Sequence, residues 1–134
     1  MTVPIRITVG DTVLEAELNE TPGARALLES LPMTLNLSRW GDEYYGGCGL
    51  SLEDDGSSRD ILEVGEIAFW PPGSALCLFF GPTPASIDDR PRAASAVIPL
   101  GRFSDDPSPL KGMGASIRAS LARKGEEEIK APRG

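Results

Sequence analysis

Apolar and polar positions alternate at both ends of this chain. Val3, Ile5, Ile7 and Val9 interleave with Thr2, Pro4, Arg6 and Thr8, the period of a strand with one buried face. Pro4, which has no N–H to give a ladder, places that strand at a sheet edge. Gly10-Asp11 separates it from a second alternating run, 12–18, and a two-residue Gly-Asp connection reads as a tight hairpin. One helix follows, about 22–31. Thr21 is its N-cap, Pro22 its first residue, and Ala24, Leu27, Leu28 and Leu31 form a single apolar stripe. So narrow a stripe predicts a helix lying across a sheet or plugging the end of a barrel.

Further strands are predicted where Leu35 and Leu37 alternate with Thr34, Asn36 and Ser38, and at Val97–Phe103 and Ile117–Leu121, where strand is preferred to helix. Leu62 and Val64, then Ile67–Trp70, are joined to the apolar run 75–80 by Pro71-Pro72-Gly73-Ser74, predicting two central strands buried on both faces. The acidic stretch 53–60, with no apolar residue to bury, reads as a solvated loop and 85–96 as a polar connection. Many short strands with one helix indicate a mainly β fold, an antiparallel barrel or sandwich.

A chain of 134 residues has the size of one domain, here 1–124, with a Glu-rich tail over 125–134 expected to fray. No basic segment leads into an apolar run near the start, and no stretch is apolar enough to span a bilayer, so a cytoplasmic location is expected. A net charge of −7 argues against nucleic acid and anionic membrane as partners. The charge is uneven: residues 1–66 hold thirteen acidic and four basic side chains, residues 67–134 seven and nine. Oligomeric state is left open.

Histidine is absent, which removes Ser-His-Asp and Cys-His nucleophiles and the imidazole ligands of most catalytic metal sites. No cofactor or metal is expected. Cys77, inside an apolar run, reads as a buried hydrophobe, and Cys48, among glycines without a basic neighbour, as an inert thiol.

The runs Arg39-Trp40-Gly41-Asp42-Glu43-Tyr44-Tyr45, Glu63–Gly73, Ala75–Pro84 and Val97–Gly101 together resemble the cyclophilin-like family of small bacterial and archaeal proteins, in one consistent order over residues 3 to 121. The resemblance implies a closed, roughly eight-stranded antiparallel barrel with helices at its ends. In the cyclophilins that act as peptidyl-prolyl isomerases, the catalytic Arg lies on the strand after the first helix, preceded by an aromatic residue and a His. Arg39 is similarly placed and is the catalytic candidate, but Leu37 and Ser38 precede it, so that the Phe-His part of the signature is missing.

All eight aromatic residues lie between Trp40 and Phe103. Phe69, Phe79 and Phe80 read as core. Trp40, Tyr44 and Tyr45, set among Gly, Asp, Glu and Arg, are candidates for a ligand cleft together with Trp70. Prolyl isomerisation needs neither nucleophile nor base, only an apolar slot and a donor aimed at the twisting amide. Arg39 or Arg102 supplies such a donor, unless each is paired with Asp42, Glu43 or Glu66. Asp42 and Glu43 are adjacent and point to opposite faces of a strand, which leaves Glu43 as an isolated ligand-binding acid. The acids 53–55 lack the spacing of a calcium loop, and Gly46–Gly49 lacks the Lys and helix of a phosphate loop.

Three functions remain: a module binding a small molecule or Pro-containing peptide, a diverged prolyl isomerase, or a subunit of an amide- or urea-processing assembly. The third rests on fold analogy.

Overall fold

The computed structural model describes residues 2–125, so the predicted tail lies almost wholly outside the described residues. Strands β1 (Val3–Val9) and β2 (Thr12–Leu18) form the predicted hairpin, with Val9 opposite Thr12 and Gly10 at φ 59°. Helix α1 (Pro22–Glu29) is followed by β3 (Met33–Arg39), β4 (Glu43–Gly47), the short β5 (Arg59–Ile61), β6 (Glu66–Trp70), β7 (Ala75–Phe79), β8 (Arg92–Phe103) and β9 (Ser116–Arg123). The sheet order is β2-β1-β9-β3-β4-β7-β6-β8, and β8 pairs back onto β2, so eight antiparallel strands close a ring to which β5 adds through β8. Closure depends on Gly101. A side chain there would meet the Glu17 carbonyl oxygen at 2.1 Å, so only glycine lets β8 come this close to β2.

Helix α1 starts where predicted: Thr21 Oγ1 accepts from Ala24 N–H at 3.2 Å and in turn donates to Asn19 Oδ1 at 2.6 Å. It ends at Glu29, two residues short of the predicted end, with Ser30 as its C-cap. Ala24, Leu27 and Leu31 enter the barrel core beside Ile5, Ile7, Leu37, Phe69 and Leu100, so the helix is part of the same apolar interior. Thr21→Ala should cost about 1 kcal/mol, about 3 °C in Tm, while Thr21→Ser retains most of it; thermal melts by circular dichroism check this.

Three expectations are corrected. Pro4 is not on an edge, since β1 lies between β2 and β9; the register with β9 begins at Ile5, so the missing N–H falls one position beyond the ladder, where the Pro4 carbonyl accepts from Lys124. The loop read over 53–60 gives way to β5 at Arg59, after which Leu62 is buried and Val64 exposed, outside any strand. The connection read over 85–96 contains the first five residues of β8, whose mixed polarity hides a strand that faces the barrel along only part of its length.

Strands β6 and β7 are buried on both faces, as their unbroken apolar runs predict. Ile67, Phe69, Leu76 and Leu78 face the barrel interior, while Ala68, Cys77 and Phe79 pack outside it with Leu62, Ala93, Val97 and Trp70. This second cluster exists because β8 leaves β6 at Ile98 and its first half pairs with β5 instead, covering the outer face.

Candidate functional site

The tight turn at 40–43 organises the site. Trp40 and Glu43 exchange two backbone hydrogen bonds, Trp40 N–H to the Glu43 carbonyl at 2.8 Å and the reverse at 3.2 Å, around Gly41 at φ 62°. A side chain at position 41 would strike Pro84 at 2.7 Å, so glycine is required on both counts. Directly opposed residues of an antiparallel pair share a face. Trp40 and Glu43 therefore project together, and Tyr45, two residues on, joins them.

That face looks onto the second cluster, and between them lies a cavity of about 260 Å³ lined by Trp40, Glu43, Tyr45, Trp70, Ala93, Ala94 and Val97. Trp70 is fixed at its end of β6 by an Nε1–H bond to Ser95 Oγ at 2.7 Å. The Pro71–Gly73 turn leaves it space, since a side chain at Gly73 would meet the indole at 2.9 Å. The Glu43 side chain has little exposure to solvent, the whole residue being 5% exposed, and no cation among the described residues pairs with it. Burial pushes its carboxyl up to about 7, partly offset by a hydrogen bond from Cys77. Burial, and then the charge of Glu43, push the Cys77 thiol well above its ordinary range, which favours the protonated form.

Of the residues picked from sequence, Trp40, Glu43, Tyr45 and Trp70 meet in this cavity. Tyr44 does not. It is fully buried in the barrel interior, stacked on Phe80 with centroids 5.4 Å apart, and its hydroxyl donates to the Gly114 carbonyl. Arg39 opposes Tyr44 and shares its face, the one away from the cavity. Its Nε donates to Gly41 O at 2.8 Å, Nη1 to Lys111 O at 3.0 Å and Met113 O at 2.8 Å, and Nη2 to Asp42 Oδ1 at 2.9 Å. The guanidinium also lies over the rings of Tyr44 and Phe80, at 5.7 and 5.1 Å. Arg102 lines a separate, more polar hollow with Glu17, Asn19, Arg59 and Glu66, where Arg59 takes Glu66 at 2.6 Å. Cys48 is half-buried with its thiol on the Ser74 carbonyl at 3.5 Å, and burial raises its pKa, in keeping with an inert thiol.

Sequence reasoning misses Ala93 and Ala94, which fall in the stretch 85–96 that reads as a connection, and Val97, which reads only as the first residue of a strand. The signal was their size: two alanines against two tryptophans leave a gap that larger side chains would fill. Among the described residues no group of three or more His, Cys, Asp or Glu is placed to hold a metal ion, and no helix is long and apolar enough to cross a membrane.

The family comparison agrees with this architecture. The Cyclophilin-like family matches residues 3–120. This chain belongs to that family. A solved relative of the same fold is the hypothetical protein AF2241 from Archaeoglobus fulgidus, determined in solution, which is 38% identical over 91% of this chain and 95% of its own, with a TM-score of 0.76. No curated protein matches. The cyclophilin-like barrel thus sets the scaffold, and the cavity outside it has to be read from its own residues.

Proposed function

We propose that this cyclophilin-like protein is a binding module whose ligand site is the cavity between Trp40, Tyr45 and Trp70, with Glu43 as its polar anchor. One observation carries the reading: a carboxyl buried against aromatic walls without a protein cation to neutralise it. Such a group is costly to the fold and is kept where a ligand completes it. Mostly apolar walls with one fixed polar group are the usual composition of a small-molecule site. A volume of about 260 Å³ admits a small molecule or one side chain of an extended peptide.

The alternative of a diverged prolyl isomerase draws no support from Arg39, whose donors are engaged on the opposite face. Membership of an amide- or urea-processing assembly rests on fold likeness alone.

Thermal shift and tryptophan fluorescence with a panel of metabolites and Pro-containing peptides test the module. Ligands should raise Tm and perturb the emission of Trp40 and Trp70, and Trp70→Ala should weaken them about tenfold through loss of a stacking wall. A panel that moves neither signal would remove the reading.

A further inference from the structure

The groups around Glu43 point to a class of ligand. From β4 it is faced by Tyr45, from the turn by Trp40, from β6 by Trp70, from β7 by the Cys77 thiol, and from β8 by Ala93, Ala94 and Val97. The nearby cations are committed elsewhere: Arg39 to Asp42, Arg59 to Glu66 and Arg92 to Asp60. Among the described residues that line the cavity the only formal charge is therefore negative, and its walls include three aromatic side chains.

An anionic ligand would be repelled from such a place, and a neutral apolar one would leave the acid protonated and unpaired. A cation behaves differently: it pairs with the carboxylate where water cannot compete, and its charge is attracted by the aromatic faces. We propose that the cavity takes a small, flat organic cation of the amidinium or ammonium class, its head paired with Glu43 and its body held between Trp40, Tyr45 and Trp70. This deepens the reading of the cavity as a ligand site and rests on it. Binding is coupled to a proton. The neutral acid releases its O–H proton to solvent as the cation arrives, because the paired form must be the carboxylate. With the free carboxyl titrating at about 7, acidification withdraws the competent form.

The test uses three isosteric planar probes, benzamidinium, benzamide and benzoate, titrated calorimetrically into the full chain. Benzamidinium should bind, about tenfold more weakly at pH 6 than at pH 8, and release about half a proton per ligand at pH 7, read from runs in buffers of different ionisation enthalpy. Benzamide should bind weakly and benzoate not at all. Glu43→Gln, checked for folding by its own melt, should lose at least about tenfold in benzamidinium affinity and keep benzamide. Tryptophan fluorescence that reports benzamide or benzoate as tightly bound as benzamidinium would overturn the cation preference and leave a ligand site standing. Benzamidinium affinity unchanged in Glu43→Gln, or independent of pH, would overturn the role of Glu43. Binding of none of the three would overturn the proposal, and the broader panel decides separately whether the cavity binds anything.

Discussion

Glu43→Gln is expected to stabilise the unliganded protein by about 3 kcal/mol at pH 8, and by no more than about 1 kcal/mol at pH 5. The carboxyl titrates at about 7 when folded against an ordinary 4.5. Between those values the folded chain holds a proton that the unfolded chain has given up, so raising the pH favours unfolding. The contribution is complete below about 4.5, declines as pH rises through the folded value near 7, and is constant above it. Glutamine has the shape of the neutral acid and no proton to lose, so the variant should lack this decline. Urea unfolding at pH 5, 6, 7 and 8, with the difference between the two proteins taken at each pH, isolates Glu43 from every other titrating group. Parallel profiles would mean that the carboxyl is hydrated in solution, and the cavity would then be no place for a pH-coupled ligand. A protein that tolerates such a penalty when a single oxygen-to-nitrogen change removes it holds the acid for something other than folding.

Local pattern made most of the barrel legible. The first hairpin, the capped helix, the doubly buried β6 and β7 and the strand at β9 all follow from alternation, turn residues and capping, each of which acts within a few residues. What the pattern could not carry was the second use of the sheet. Strand β8 faces the barrel with Leu100 and Phe103 but the outer cluster with Ala93 and Val97, so its polarity follows no single period. Proline at position 4 points to an edge that does not exist for a related reason, since whether a strand is an edge depends on where β9, more than a hundred residues later, comes to lie. At the cavity, residue type alone does not give direction. Trp40, Glu43, Tyr44, Tyr45 and Trp70 all read as aromatic or acidic groups near strand ends, while Arg39 enters as a catalytic candidate through its place in the family resemblance. Parity separates them: Trp40, Glu43 and Tyr45 lie on one face, and Arg39 and Tyr44 on the other.

That separation gives opposite expectations for stability and binding at Arg39. Arg39→Ala should lower stability by about 3 kcal/mol, about 10 °C in Tm, because one side chain ties the 40–43 turn to the 108–113 segment through three carbonyls and a carboxylate and lies on two aromatic rings. Its side chain is only 23% exposed, so the stranded carbonyls and Asp42 would not be fully rehydrated. Lysine keeps the charge but has one compact head that cannot reach four acceptors lying in different directions, so Arg39→Lys should recover no more than about 1 kcal/mol. Ligand affinity, measured by tryptophan fluorescence at a temperature where each variant is fully folded, should change less than about twofold, because no Arg39 contact crosses to the cavity. The same independence should extend to any acceleration of prolyl isomerisation measured in a protease-free assay. A folded Arg39→Ala protein that had lost binding or isomerase activity would return Arg39 to the site and show that the two faces of the turn act together. Unchanged binding in a destabilised protein would instead leave Arg39 as the residue that holds the turn in shape, and Glu43, across the strand from it, as the residue that uses that shape.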